Sequence, residues 1–315
     1  MLEVENISAG YGNKDVLRDL SFVVGKNEIY ILLGVNGAGK TTTFRVISGI
    51  LPPSKGKVLV DGINLWTEPE KAKRKIGYLP EGERIYPDLS VYKNMLFFAK
   101  VYKVDKKRIN ELLRDFGLEK YRSAKAGNLS RGLRKRLALA RALLHDPEIL
   151  VLDEPFSNLD VPGVLSLREK IWEMLRRGKV VLFSTHILTE LQHFEGVKCK
   201  VGVINDGELV LEEKLDSLLS WISNIEVTIA TSEPYLTIKL LKNLGYEVST
   251  DGGSSVVVRV SNCSIEIPKI IKRLVAEDIK VYQVKPKDMP LEKIFMRVSR
   301  KNDGSVSTTA KNVWP

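Results

Sequence analysis

A glycine-rich turn is the segment of this sequence with the clearest chemistry. Residues 34–42 read GVNGAGKTT and lie between an apolar strand and a pattern with helical spacing, which is the context that a phosphate-binding loop requires. The glycines let backbone N–H groups approach an anion, and the following helix presents its positive end. Lys40 can neutralise phosphate charge, and the Thr41 hydroxyl can hold Mg²⁺. The predicted phosphate contacts are Gly34, Asn36, Gly37, Gly39, Lys40, Thr41 and Thr42.

Two adjacent acids, Asp153 and Glu154, directly follow the apolar run at 149–152. Parallel sheets collect ligands at the carboxyl ends of their strands, so acids in this position suit a catalytic site. Asp153 is predicted to hold Mg²⁺, and Glu154 to act as the general base that deprotonates the attacking water. Acids after a strand also begin turns, and Pro155 is consistent with that alternative. The phosphate loop favours the catalytic interpretation.

Four shorter markers stand at other points along the chain. Tyr11 lies in a glycine-flanked turn, residues 129–133 read LSRGL, residues 157–160 read SNLD, and residues 183–186 read FSTH. Taken singly, these could be an exposed aromatic side chain, a helix cap, a turn and a solvated histidine. Together with the loop and the acids, and in this order, they resemble the ABC ATPase family. The resemblance covers about residues 1–218.

The resemblance implies a role for each marker. Tyr11 stands where the family stacks an aromatic ring on adenine, and His186 stands where it has a catalytic switch histidine. Ser130 and Gly132 stand where the family signature contacts phosphate, and Asp160 of the D-loop is placed among the nucleotide contacts as well. In the family, the signature of one subunit faces the γ-phosphate held by the other. This implies ATP and Mg²⁺ as cofactors and an ATP-driven dimer, of two copies or of one copy with a relative.

The sequence departs from the family pattern at three positions. Arg131 replaces the usual third-position glycine of the signature, Leu133 replaces its final glutamine, and Glu81 follows IGYLP where glutamine is commoner. Glu81 keeps an oxygen ligand for metal or water, so it is counted among the predicted catalytic and Mg²⁺-binding residues. It also adds negative charge near the phosphates, and its role is open. With Glu154 and His186 in place, the site is predicted to be hydrolytically competent.

The order of the elements predicts an α/β fold, a P-loop NTPase of the ABC type with a β-rich subdomain, a parallel-sheet core and a helical insert. This ATPase domain is predicted over residues 1–218. Residues 219–300 follow the order βαββαβ and predict a small ferredoxin-like α+β accessory domain. A last helix is expected at about 290–298, and the polar tail at 301–315 is expected to be disordered.

Two local patterns make sharper expectations about the elements. The first predicted strands, at 2–7 and 21–24, are separated by a break at 9–13 that contains two glycines. The last helix of the insert is predicted over about 133–145 from its apolar spacing.

The remaining features concern partners and location. No stretch approaches the roughly 20 apolar residues of a membrane-spanning helix, and the first residues do not resemble a signal peptide. Residues 289–295, MPLEKIF, resemble an ending found in the drug-resistance branch of ABC ATPases, which serve export-type permeases. We therefore expect a cytoplasmic protein, peripheral on the inner face of the cell membrane through a separate integral-membrane permease subunit.

A formal net charge of +10 leaves a second class open, a soluble ABC ATPase that acts on a nucleic-acid or ribosomal partner. Such relatives usually carry two ATPase halves or long coiled-coil inserts, whereas this sequence has one phosphate loop and no sustained heptads. No nucleic-acid partner is therefore expected. A catalytically idle regulatory module is a third alternative, and the intact Lys40, Asp153, Glu154 and His186 argue against it.

Overall fold

The computed structural model describes residues 1–12, 14–187, 190–191, 194, 196–221, 225–250, 255–261 and 263–286. The chain divides into two compact units, of which the first comprises Met1–His186 with Gly196–Lys214 and the second comprises Ile187–Glu195 with Leu215–Pro315. None of the helices in the described part of the chain has the length and apolar character that a bilayer crossing requires. The predicted helix at 290–298 and the predicted tail at 301–315 lie outside the described residues.

The first unit combines two sheets with a group of helices. Its described strands are β1 (Leu2–Tyr11), β2 (Lys14–Val24), β3 (Ile29–Leu33), β4 (Lys55–Val60), β5 (Ile63–Asn64), β6 (Ile76–Leu79), β7 (Ile149–Leu152), β8 (Val180–Thr185), β9 (Cys199–Asn205) and β10 (Glu208–Lys214). Its described helices are α1 (Lys40–Ile47), α2 (Pro69–Lys73), α3 (Val91–Tyr102), α4 (Lys106–Asp115), α5 (Arg131–Ala142) and α6 (Val161–Arg176).

A six-stranded sheet in the order β10-β9-β3-β8-β7-β6 forms the centre of this unit. β3 is parallel to β8 and β9, and β7 is parallel to β6 and β8. Every residue of β3, β7 and β8 is buried, which explains why these strands are continuous apolar runs rather than alternating ones. Because these three strands run the same way, the segments that follow them meet at one edge of the sheet.

An antiparallel sheet in the order β2-β1-β4-β5 forms the β-rich subdomain. The predicted break at 9–13 is wrong, because β1 continues to Tyr11 and β2 begins at Lys14. Gly10 lies within the paired strands, where an added Cβ would come 1.9 Å from the Lys14 carbonyl oxygen. The glycine therefore marks a close approach of two backbones in a tight hairpin, rather than the end of a strand.

The helices α3, α4 and α5 form the predicted insert, and each begins at a side-chain cap. Ser90, Asp105 and Ser130 accept hydrogen bonds from backbone N–H groups in the first turns of α3, α4 and α5. The helix predicted over 133–145 runs over Arg131–Ala142 instead, because the cap at Ser130 fixes its first residue. The chemistry of the cap decides the boundary that apolar spacing alone misplaced.

The second unit contains α7 (Leu215–Trp221), β11 (Ile225–Thr231), α8 (Pro234–Asn243), β12 (Glu247–Thr250), β13 (Ser255–Val260), α9 (Cys263–Ala276) and β14 (Val281–Pro286). Its sheet is antiparallel in the order β12-β13-β11-β14. From β11 onward this is the predicted βαββαβ order of a ferredoxin-like fold. Val227, Ile229, Val256 and Val258 are fully buried and alternate with more exposed neighbours, so one face of the sheet supplies the core.

The predicted boundary after residue 218 falls inside α7, whereas the two compact units divide between Lys214 and Leu215. Independent folding of the ATPase domain and the accessory domain stays a prediction.

A chain that ends at Lys214 is expected to keep its fold and its nucleotide binding, because every predicted nucleotide contact precedes that residue. Titration with a fluorescent ATP analogue should give a dissociation constant within about twofold of that of the full chain. A truncated chain with an intact circular-dichroism spectrum but no nucleotide binding would contradict this division.

Candidate functional site

The predicted phosphate loop joins β3 to α1, and its glycines are required by its geometry. Gly37 and Gly39 have φ of 85° and 111°, in the left-handed region that favours glycine. An added Cβ at Gly34 would come 2.6 Å from the carbonyl oxygen of Ile204. The backbone can therefore curve around an anion only because these positions carry no side chain.

Lys40 is 6% exposed and points back into the loop that precedes it. Its Nζ donates hydrogen bonds to the carbonyl oxygens of Gly34 at 2.7 Å and Val35 at 3.1 Å, and lies 3.7 Å from Glu154 Oε1. Burial lowers the pKa of Lys40, and the carboxylates of Glu154 and Asp153 oppose that shift. The loop thus holds a buried cation opposite the predicted general base.

A cavity of about 260 Å³ lies beside this lysine. It is lined by Val16, Asn36, Gly37, Gly39, Lys40, Thr41, Thr42, Glu81 and Glu154. The structure therefore brings the loop, the acid after β7 and the unusual Glu81 around one space, although these segments are far apart in the sequence. Gly34 does not line the cavity, and acts instead as an acceptor for Lys40.

Asp153 is fully buried at the end of β7. Its Oδ1 accepts a hydrogen bond from Ser184 Oγ at 2.7 Å, whereas its Oδ2 is buried with no hydrogen-bond partner among the described residues. A buried carboxylate oxygen without a partner is costly unless a cation or donor reaches it. Thr41 lines the cavity and Asp153 does not, and carboxylate and hydroxyl oxygens of this kind are the ligands that Mg²⁺ prefers, so these two residues fit the predicted metal.

Glu154 has a backbone φ of 49°, which is rare for a residue with a side chain. Its N–H donates to Ser184 Oγ at 2.9 Å. Its carbonyl oxygen accepts hydrogen bonds from Lys135 Nζ at 2.9 Å and from Ser157 Oγ at 2.8 Å. Both carboxylate oxygens lie 3.0 Å from His186 Nδ1, so the predicted base and the predicted switch histidine are direct partners.

Tyr11 lies at the edge of the β-rich subdomain with 44% of its surface exposed. Its hydroxyl accepts a hydrogen bond from Arg45 at 2.7 Å, and the Arg45 guanidinium lies 5.9 Å from the centre of the ring. One face of α1 thus fixes the ring while leaving it accessible. This placement is compatible with stacking on a base.

Five predicted nucleotide contacts do not line the cavity: Tyr11, Gly34, Ser130, Gly132 and Asp160. Ser130 caps α5 by accepting a hydrogen bond from the N–H of Leu133 at 3.3 Å, and Gly132 lies in the same first turn. Asp160 caps α6 and forms an ion pair with Arg136, whose hydrogen bonds lower the pKa of this carboxyl. Ser130, Gly132 and Asp160 therefore lie outside the lining of the phosphate cavity of their own chain.

Two residues of the site were not found from the sequence. Ser184, in β8, binds both the Asp153 carboxylate and the Glu154 backbone N–H. Lys135, in α5, binds the Glu154 carbonyl oxygen. A polar residue at the end of an otherwise apolar strand was the available signal for Ser184. For Lys135 there was none, because a lysine in a basic helical segment usually indicates a solvated face.

The fold and the site define a P-loop nucleotide-binding α/β protein. The ABC transporter family matches residues 17–157. The uncharacterized ABC transporter ATP-binding protein YhcH of Bacillus subtilis (strain 168) is 33% identical over 307 residues, which are 95% of this chain and 96% of that protein. The chain therefore belongs to the ABC transporter ATP-binding proteins.

Two further comparisons agree with this assignment. The linearmycin resistance ATP-binding protein LnrL of Bacillus subtilis (strain 168) is 29% identical over 309 residues, 95% of this chain and 98% of that protein. The dimeric ATP-binding cassette MJ0796, in a post-hydrolysis state bound to ADP and Pi, has a TM-score of 0.61 and 27% identity over 68% of this chain and 99% of that chain. The predicted family, the fold class and the ATPase class are confirmed.

Tyr11→Ala is expected to weaken ATP binding by about 1 to 3 kcal/mol, because it removes the stacking surface. Tyr11→Phe keeps the ring and loses only the exposed hydrogen bond to Arg45, at a cost of at most about 1 kcal/mol. Isothermal titration calorimetry with ATP distinguishes the two variants. An unchanged dissociation constant in Tyr11→Ala would show that the ring does not contact the base.

Proposed function

We propose that this chain binds Mg-ATP in the phosphate cavity, hydrolyses it, and powers export through a separate integral-membrane permease. The observation that carries the proposal is the meeting of Lys40, Glu81 and Glu154 around one cavity at an edge of the core sheet. The similarity to a linearmycin resistance protein over 95% of the chain supports an export-type assignment. The chain would then lie on the cytoplasmic face of the cell membrane, bound to the permease.

Binding begins with an exchange of partners at Lys40. Its ammonium group bonds to two neutral carbonyl oxygens, and the charged β- and γ-phosphate oxygens are stronger acceptors. We therefore expect Lys40 to turn toward them as the loop amides take up the remaining oxygens. Asp153 and Thr41 would hold Mg²⁺, which neutralises charge on the phosphates when bound.

Hydrolysis is assigned to Glu154 as the general base. Its carboxylate lines the phosphate cavity and accepts a hydrogen bond from His186 when Nδ1 is protonated. Glu154 takes a proton from the water that attacks the γ-phosphorus, and His186 orients the carboxylate. Glu81 lines the same cavity, where its carboxylate would accept a hydrogen bond from the water or act as a ligand of the metal.

The proposed active form is a dimer of two ATPase subunits, identical or related. Ser130 and Gly132 form the first turn of α5, where helix N–H groups favour an anion, yet they do not line the cavity of their own chain. In a two-fold dimer, each such helix end can face the γ-phosphate bound by the other subunit. The similarity to a dimeric ATP-binding cassette supports this arrangement.

Glu154→Gln is expected to lower the ATP hydrolysis rate by roughly 100 to 10,000-fold, because the amide cannot accept the proton. The variant should still bind Mg-ATP and should accumulate as a dimer, measured by light scattering. Lys40→Ala is the control that should fail already at binding. A Glu154→Gln protein that stays monomeric both with and without Mg-ATP would contradict the dimer.

A second cavity, of about 680 Å³, is the proposed docking site for the permease. Ile50, Leu51 and Phe98 supply apolar surface, and its cationic side chains come from Arg45, Arg84 and Arg141. This combination suits a short amphipathic helix with an acidic residue. Tyr11 lines this cavity as well, and Glu81 lines both cavities, so a helix seated here would lie next to two residues that are assigned to nucleotide binding.

Ile50→Asp is expected to abolish co-purification of the permease with the tagged chain from detergent extracts, because it puts a carboxylate into the apolar part of the docking site. Ile50 is 60% exposed, so the fold and the ATPase rate of the isolated chain should persist. Val23→Asp, at another exposed apolar residue that does not line this cavity, is the matched control. Equal recovery of the permease with Ile50→Asp and with Val23→Asp would rule out this docking site.

A further inference from the structure

Lys135 is an unusual lysine because only 3% of its surface is exposed. It lies in the second turn of α5, in the helix whose first turn carries Ser130 and Gly132. Burying an ammonium group is costly unless specific partners replace its water. The ion pairs found within the described part of the chain do not include Lys135, so a bound carboxylate does not explain its burial.

The partner that the structure provides is the backbone of the proposed base. Lys135 Nζ donates a hydrogen bond of 2.9 Å to the Glu154 carbonyl oxygen. Burial lowers the pKa of Lys135, and the nearby carboxylates of Glu83, Asp153 and Glu154 oppose that shift. A hydrogen bond to a backbone carbonyl is stronger when its donor is charged than when its donor is neutral.

The Glu154 backbone needs such a restraint. Its φ of 49° lies in the left-handed region, which a residue with a side chain keeps only when its surroundings hold it there. Ser184 holds the Glu154 N–H from β8, and Ser157 holds the carbonyl oxygen from three residues farther along the chain. Lys135 adds a restraint from the helical insert, far from Glu154 in sequence.

We propose that Lys135 is a positioning residue for ATP hydrolysis, whose ammonium group holds the Glu154 carbonyl and thereby aims the Glu154 carboxylate at the phosphate cavity and at His186. The inference rests on the proposed role of Glu154 as the general base. Lys135 itself touches neither nucleotide nor water in this account. Its removal should therefore change the rate of the chemical step and leave ATP affinity nearly unchanged.

Lys135→Met in the full chain tests the proposal, because methionine keeps an unbranched side chain of similar length without the donor. The maximal ATP hydrolysis rate should fall by about tenfold to hundredfold, the range for a misplaced catalytic group, with the ATP dissociation constant within about twofold of the original. Lys135→Arg, which restores a charged donor, should recover much of the rate. An unchanged hydrolysis rate in Lys135→Met would overturn the proposal.

Lys179 provides a matched control within the same unit. It is also 3% exposed, and its Nζ donates a hydrogen bond of 2.9 Å to the backbone carbonyl of Asp146, although unlike Lys135 it also pairs with a carboxylate, that of Asp146, at 2.6 Å. Lys179→Met should lower the melting temperature without changing the hydrolysis rate per folded molecule. A similar loss of rate in both variants would show that Lys135 has only a structural role.

A double-mutant cycle separates this proposal from the role of Glu154 itself. If Lys135 acts through Glu154, adding Lys135→Met to Glu154→Gln should not lower the residual rate further, whereas an independent effect would multiply. Full activity in Glu154→Gln alone would instead disprove the general base. Should Lys135→Met fail to fold, Lys135→Gln keeps a polar side chain at this position but removes the ammonium group, and an unchanged hydrolysis rate in that variant would also overturn the proposal.

Discussion

The pairing of a buried lysine with a half-buried acid is the interaction on which the proposed nucleotide site depends. Lys40 and Glu154 lie 3.7 Å apart at an edge of the core sheet, and both are largely removed from water. Neither charge is tolerable there alone, because desolvation of an isolated ion costs several kcal/mol. The loop carbonyl oxygens accept hydrogen bonds from Lys40, and His186 pairs with the Glu154 carboxylate, while Ser184 and Lys135 hold the Glu154 backbone. In the proposed function, a triphosphate would enter a space in which Lys40 is already held in place.

The core sheet makes this arrangement possible. β3, β7 and β8 are parallel and fully buried, so their carboxyl ends deliver the phosphate loop, the paired acids and His186 to the same edge. The helical insert adds α5, which links two functions. Its amino-terminal end, capped by Ser130, is the proposed anion site, and its second turn holds the backbone of Glu154 through Lys135. A displacement of α5 would therefore change the position of Glu154, the proposed general base.

The sequence was sufficient where function imposes a local pattern. The phosphate loop and the βαββαβ order could be predicted because glycine placement, turn residues and apolar periodicity act over short distances. The roles of Lys135 and Ser184 could not be predicted in this way. Each depends on a contact with Glu154, which is 19 residues from Lys135 and 30 residues from Ser184 along the chain. The hairpin at Gly10 was missed for a related reason: the same glycine that breaks a strand also permits two backbones to touch.

In the proposed dimer, two copies of the site share each nucleotide, with Lys40 on one side of the γ-phosphate and Ser130 of the partner subunit on the other. A crystal structure of the Glu154→Gln chain with ATP and Mg²⁺ tests this most directly, because hydrolysis is blocked while the binding groups remain. The account predicts a two-fold dimer with ATP at both seams and Lys40 turned from the Gly34 and Val35 carbonyl oxygens to phosphate. ATP bound to a single copy, with Ser130 remote from every nucleotide, would contradict it.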